Sequence, residues 1–373
     1  MFHARSLTSL TIGLTLAGAA IACSGARVTE LTDPGGPIPE VGLGSPVGDD
    51  PSSDGSQGKP NDPSQDQGSS GGKNDGKGDG KDTPKPDDFS CDDSTLAMTS
   101  TDPFDAAKAL GLCKKLGAGA TGWGVLSAKI IRPDGSAGAV PAESIGLLEK
   151  LGAALPPSGK RMLAISTGTA RAPGDPGYIA PINGKDKGYT HAAPANVARV
   201  SSLCPADATL GSPHDGVALE LQLRTPNDAK SLSFSHQLFS SDYGDDICGQ
   251  FTDVFAVTMT PRVAGRTDDN VVLDTNGDLV SINSPSSMRA CTPGTHSGLT
   301  FACPLGTGPL AGTGFETKAS TGWLKTTIPV SGNTVVTLRF MIWDAGDGTY
   351  DSTVLLDELT FATTSSTLKT VPR

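Results

Sequence analysis

Four aspartates near the end of the chain form a group of hard oxygen donors. Asp344, Asp347 and Asp351 fall in one stretch, Trp343-Asp-Ala-Gly-Asp-Gly-Thr-Tyr-Asp351, and Asp357 enters from the apolar run that follows. Carboxylates clustered in a Gly-rich turn suit Ca2+, which takes about 6–8 oxygen ligands and accepts backbone carbonyls among them. The spacing lacks the alternating ligands and final Glu of an EF-hand loop. The competing reading is a Gly-Asp hairpin loop with solvated carboxylates. A structural Ca2+ at Asp344, Asp347, Asp351 and Asp357 is therefore an expectation for the geometry to test.

Other chemistry is sparse. Gly117-Ala-Gly-Ala-Thr-Gly122 carries the glycines of a dinucleotide fingerprint. It follows a helical pattern and precedes an extended one, Trp123–Ala128, the reverse of the strand–turn–helix order that cradles a pyrophosphate. It reads as a helix stop and a loop. The sequence contains no P-loop, no His-Glu-x-x-His and no Gly-x-Ser-x-Gly elbow between a strand and a helix. His191, His214, His236 and His296 are isolated, and His236 falls on the apolar face of a strand, where a hydrogen-bonded core histidine is expected. Trp123, Trp323 and Trp343 could form a sugar-stacking platform or fill a core. The chain reads as a non-enzyme, with a hydrolase whose carboxylates are distant in sequence as an alternative.

Seven cysteines divide into six and one. Cys91, Cys113, Cys204, Cys248, Cys291 and Cys303 suit three disulfides in an oxidising compartment. Sequence proximity suggests Cys91–Cys113, Cys204–Cys248 and Cys291–Cys303, one of several connectivities. The seventh, Cys23, ends a signal-like segment, residues 1–22, with a polar start at His3 and Arg5 and an apolar stretch from Leu7 to Ile21. That stretch is too short to span a hydrocarbon core of about 30 Å. Ala20-Ile21-Ala22-Cys23 resembles a bacterial lipobox, in which Cys23 becomes the lipidated first residue; cleavage by ordinary signal peptidase is the other reading.

Residues 31–90 hold 13 Gly, 9 Pro, 8 Ser, 11 Asp and 5 Lys. From Gly48 to Asp88 there is no Val, Ile, Leu, Met, Ala or aromatic residue, so nothing offsets the entropy of ordering, and the sequence predicts a disordered linker over 23–90. This stretch accounts for most of the chain's net charge of −11, leaving the remainder close to neutral. With no basic stretch to follow a phosphate backbone, nucleic acid is not an expected partner. The organisation expected is signal peptide 1–22, lipidated Cys23 and linker to 90, and one folded region, 91–373.

Within that region, Asp102-Pro103 opens a helix predicted over 103–115, and a second over 143–151. The rest alternates. Leu219, Leu221 and Leu223 face one way and Glu220, Gln222 and Arg224 the other; Leu232, Phe234, His236 and Leu238 do likewise against serines and Gln237. Further strands are predicted at 162–166, 254–259, 271–274, 279–282, 324–330, 335–343 and 354–361. Asn276-Gly277 predicts a type I′ hairpin turn. Many strands and few helices indicate a mainly β fold, a jelly-roll-like β-sandwich with one or two short helices.

Phe234-Ser-His-Gln-Leu-Phe-Ser-Ser-Asp-Tyr243, Phe251-Thr-Asp-Val-Phe-Ala-Val257, Asn270-Val-Val-Leu, Val280-Ser-Ile-Asn283 and the stretch from Trp343 to Asp357 resemble the choice-of-anchor L domain, a secreted bacterial surface domain, over about residues 100–362. Asp102–Cys113 and Met162–Arg171 resemble the leader region of large myxobacterial lipoproteins of this kind. Where the family more usually has two acidic residues before the Tyr, this chain has Ser241-Asp242. The resemblance implies surface display, with no agreed activity attached. The expected function is a lipoprotein of a Gram-negative envelope, at the outer membrane or cell surface. It would meet the membrane through its lipid anchor and display a sandwich that binds a surface polysaccharide or protein. A structural envelope component is the alternative.

Overall fold

The first regular element grows from Asp102, whose carboxylate accepts the Phe104 N–H at 2.8 Å. With Pro103 in the first turn, helix α1 runs Pro103–Ala109 and ends before the predicted 115. Gly111 takes φ 91°, its N–H donates to the Lys108 carbonyl at 2.8 Å, and the Leu112 N–H donates to Ala107 at 2.9 Å. This paired closure requires a residue tolerant of left-handed φ, and it turns Leu112 into the core. The computed structural model describes residues 91, 93–197 and 200–373; the signal segment, Cys23 and the linker lie outside the described residues.

The described strands are β1 (Gly124–Ile131), β2 (Ile145–Leu148), β3 (Met162–Ser166), β4 (Pro213–Arg224), β5 (Ser231–Ser240), β6 (Val254–Thr260), β7 (Gly294–His296), β8 (Leu299–Phe301), β9 (Ala319–Ser320), β10 (Leu324–Pro329), β11 (Val335–Ala345), β12 (Ser352–Ala362) and β13 (Lys369–Pro372). One sheet has the order β1-β4-β11-β6. The other has the order β13-β10-β5-β12-β3-β2, with β9 on β5, and β7 pairs with β8. The chain alternates between the two large sheets, from β4 to β5 to β6 and again from β10 to β11 to β12. The protein is a mainly β, antiparallel sandwich. Leu219, Leu221 and Leu223 of β4, Phe234 of β5, Phe340 of β11 and Leu356 of β12 share one buried apolar cluster. Phe234 and Phe340 meet edge to face at 5.1 Å. Each large apolar side chain so buried contributes about 1.5–3 kcal/mol.

The alternation in β4 holds: its leucines are buried, while Gln222 is exposed and Glu220 pairs with Arg339 on the neighbouring strand, Nε to Oε2 at 3.0 Å. In β5 the second face is buried as well. Phe239 packs on Phe315 at 5.4 Å in a second cluster with Leu310 and Leu355. The segment 143–151 is not helical: a short 3-10 turn, Ala142–Ser144, leads into β2. Ile145 and Leu147 enter the first cluster and Leu148 the second, so both faces are buried and the apolar run has no period that separates strand from helix.

Strands are also absent at 271–274 and 279–282, which are joined by a lone bridge, Leu273 to Leu279. The turn is not type I′. Gly277 alone takes a left-handed φ, 83°, following a turn closed by its N–H to the Asp274 carbonyl at 3.1 Å. The Asp274 carboxylate accepts the N–H of Asn276 at 2.7 Å and of Asp278 at 3.0 Å, which holds Asn276 out of that conformation. Three disulfides, Cys91–Cys113, Cys204–Cys248 and Cys291–Cys303, tie the described region.

Candidate functional site

Two connections meet at one end of the sandwich. Ser240 pairs with Ser352 in one sheet and Val254 with Trp343 in the other. The link from β5 to β6 and the link from β11 to β12 therefore leave the sheets side by side. Both carry aspartates at the strand ends. Asp242, Asp253 and Asp344 are 1, 4 and 1 % exposed. Asp242 Oδ2 accepts the Asp253 N–H at 3.1 Å and Asp253 Oδ1 accepts the Ala345 N–H at 3.3 Å. The Asp344 and Asp253 carboxyls are side-chain hydrogen-bond partners, with the Thr167 hydroxyl beside Asp344 and the Ser352 hydroxyl beside Asp253; the Ser241 hydroxyl is buried without a partner. Burial pushes all three carboxyls well above the usual range, since an ion loses its hydration there.

Asp351 and Asp215 flank this group. Asp351 accepts the Lys185 N–H on both oxygens, at 3.1 and 3.0 Å, and burial raises its pKa to about 6. Asp215 accepts the Lys187 N–H at 2.7 Å. Lys187 turns its ammonium inward, Nζ donating to the Ser166 carbonyl at 2.9 Å. Burial lowers its pKa to about 8, although Asp344, Asp215 and Asp351 all act to raise it.

The four aspartates that the sequence singles out do not converge. Asp344 and Asp351 share the buried end. Asp347 caps its own turn, accepting the Thr349 N–H at 3.1 Å and the Thr349 hydroxyl at 2.9 Å. Asp357 serves another place, accepting the Ser158 N–H at 3.0 Å near Asp93, with burial raising its pKa to about 7. The predicted four-carboxylate Ca2+ set is corrected on this point. Among the described residues no three His, Cys, Asp or Glu side chains are arranged to ligate one ion between them.

His236 is a buried core residue as expected, its Nε2 2.9 Å from the Thr326 hydroxyl, with burial depressing its pKa to about 3. The tryptophans form no shared platform. Trp343 is fully buried, Trp123 is 4 % exposed beside Phe361, and half-buried Trp323 packs against the second cluster. Trp323 instead lines a cleft of about 680 Å³ with Leu155, Leu305, Pro309, Gln237 and Arg373. Leu155 is 62 % and Leu305 40 % exposed. Gln237 donates through Nε2 to the Ser320 hydroxyl at 2.9 Å, while its Oε1 is buried without a partner. The Arg373 N–H donates to the Trp323 carbonyl at 3.1 Å, which fixes the two against each other. An apolar wall with a few placed polar groups is the common composition of a ligand site.

A disulfide-bonded antiparallel sandwich suits an extracellular or surface protein. The chain belongs to the choice-of-anchor L domain family, whose model matches residues 135–362; α1 and β1 precede the matched span. Family membership and the disulfides mark an extracellular or surface protein. No curated protein matches the chain. Among solved structures, the K2 cleaved adhesin domain of Lys-gingipain is similar at 11 % identity. That match covers 63 % of this chain and 88 % of that one, with a TM-score of 0.26.

Proposed function

We propose that the chain is a cell-envelope lipoprotein, acylated at Cys23, that displays its sandwich at the outer membrane or cell surface as a non-catalytic adhesion module, and that the Trp323 cleft binds polysaccharide. The observation that carries this reading is the indole of Trp323 set in a cleft with the exposed side chains of Leu155 and Leu305. The apolar face of a pyranose ring can stack on Trp323. Leu155, Leu305 and Pro309 supply the apolar remainder. The raised carboxyls at the other site favour binding over hydrolysis: at 1–4 % exposure, Asp242, Asp253 and Asp344 offer no surface to a substrate.

The test is a glycan array probed with the exported protein and its Trp323→Ala and Gln237→Ala variants. The wild type should bind at least one polysaccharide class and Trp323→Ala none, with both variants keeping the wild-type melting temperature within a few degrees. An array with no wild-type signal leaves the structural envelope role in its place.

A further inference from the structure

The binding reading leaves Lys187 without a role. The segment that carries it, residues 181–190, is pinned to the buried end of the sandwich. Asp351 accepts its Lys185 N–H at 3.1 and 3.0 Å, and Asp215 accepts its Lys187 and Tyr189 N–H groups at 2.7 and 3.4 Å. From there the lysine turns inward, and Nζ donates to the Ser166 carbonyl at 2.9 Å and the Asp215 carbonyl at 3.4 Å. Both carbonyls adjoin neighbours of Asp344. Next to Ser166 stands Thr167, whose hydroxyl bonds the Asp344 carboxyl; next to Asp215 stands His214, the register partner of Asp344. Amine and carboxyl thus share one buried place, with the Asp253 carboxyl hydrogen-bonded to Asp344. We propose that Lys187 Nζ and Asp344 Cγ condense to an amide, with Asp253 as the proton carrier, so that the 181–190 segment is stapled covalently to β11.

The three groups fit the three roles. A lysine becomes a nucleophile when desolvation strips its proton, and burial holds Lys187 down to about 8 although Asp344, Asp215, Asp351 and Glu143 all act to raise it. A carboxyl is attacked most readily as the neutral acid, since an ionised carboxylate repels the amine's electron pair. Burial favours the acid form of Asp344, which is 1 % exposed. Asp215 and Asp351 are poorer targets, because the backbone N–H bonds they accept favour their ionised forms. The step balances without a co-reactant. The Nζ–Cγ bond forms and the Cγ–OH bond breaks; Asp253 gives its proton to the departing hydroxyl and regains one from the nitrogen, and one water leaves. Attack requires Nζ to swing off the Ser166 carbonyl, which the flexible lysine stem permits. Confinement replaces the encounter of two separate reactants, and the amide, closing a long loop of chain, restricts the unfolded state as a disulfide does.

The test is a peptide map of the full exported chain, reduced, denatured and digested with trypsin, with fragment-ion sequencing to place any branch. A branched peptide should join the segment holding Lys187 to the one holding Asp344, lighter than their sum by one water, and cleavage after Lys187 should be lost. Lys187→Arg should return Asp344 in a linear peptide. Asp253→Asn should do so too, although it keeps both residues of the bond, and Asp347→Asn should keep the branch. Should the buried variants fail to fold, the wild-type map still decides: full recovery of linear peptides ending at Lys187 overturns the proposal. A branch from Lys187 to Asp215 or Asp351 overturns the choice of Asp344, and an intact branch in Asp253→Asn overturns the role of Asp253.

Discussion

Asp253 and Asp344 stand side by side because Val254 and Trp343 are register partners in the first sheet. Each is the residue just beyond that pair, at the same end of adjacent antiparallel strands. Ser240 and Ser352 make the equivalent pair in the second sheet, which brings Asp242 and Asp351 to the same end. The two connections are thereby stacked, and any acid placed at these strand ends is forced toward the others. Like charges so placed repel unless protons or a cation intervene, so the sheet register itself creates the demand for neutralisation.

Asp357 and His236 should give opposite pH slopes. Burial raises Asp357 from 3.8 to about 7. Between those values the folded chain keeps a proton that the unfolded chain releases, and stability falls as pH rises. Burial lowers His236 from 6.5 to about 3, so the unfolded chain takes the extra proton, and stability is lost as pH falls through that range. Each contributes at most about 1.4 kcal/mol per pH unit. Urea unfolding at pH 4.5, 5.5, 6.5 and 7.5 should show Asp357→Asn gaining on the wild type as pH rises. His236→Gln should gain on it as pH falls. Parallel profiles for all three proteins would contradict both assignments.

Gly146 should not tolerate a methyl group. A Cβ there would stand 2.1 Å from the Ala170 carbonyl oxygen. That carbonyl is held by the Arg171 guanidinium at 2.7 Å, and the Ala170 N–H is bonded to Glu143 at 2.8 Å, so it cannot give way. Gly146→Ala should cost about 2 kcal/mol or more by overpacking and lower the melting temperature by roughly 4–8 °C. Gly117→Ala, with nothing within 4 Å, should leave the melt within about a degree.

The disulfides should differ in worth by the length of chain each closes. The half-buried pairs Cys204–Cys248 and Cys91–Cys113 close separations of 44 and 22 residues. In the loop-entropy account a doubling adds about 0.6 kcal/mol to a base of roughly 2–4 kcal/mol. Replacing both cysteines of the longer pair with Ala should therefore cost slightly more than doing so for the shorter. Non-reducing peptide mapping should find the three pairings and no free thiol among these six.

Sequence periodicity is legible where one face of a strand meets the other sheet and the opposite face meets solvent, as Leu219, Leu221 and Leu223 show. It fails where both faces are covered: Ile145–Leu148 reads as a helix, and β5 reads as half-exposed, because Phe315 and its neighbours come from far along the chain. Asp344 and Asp351 stand out in the sequence because one loop holds both. Asp242 and Asp253 do not, although each closes or opens an apolar run, because what joins them to Asp344 is cross-strand register. The cleft is hidden for the same reason. Trp323, Gln237 and Leu155 belong to three separate segments, and no local pattern announces that they share a wall.

A module that binds through the Trp323 cleft works only if the folded region faces the outside of the cell. Intact cells producing the full chain can be treated with a membrane-impermeant amine reagent and the protein analysed by peptide mass mapping. Lys114, Lys150 and Lys160 are exposed on the folded region and should be modified without permeabilisation, under conditions in which a periplasmic protein stays unmodified. Modification of these lysines only after the cells are opened would contradict surface display.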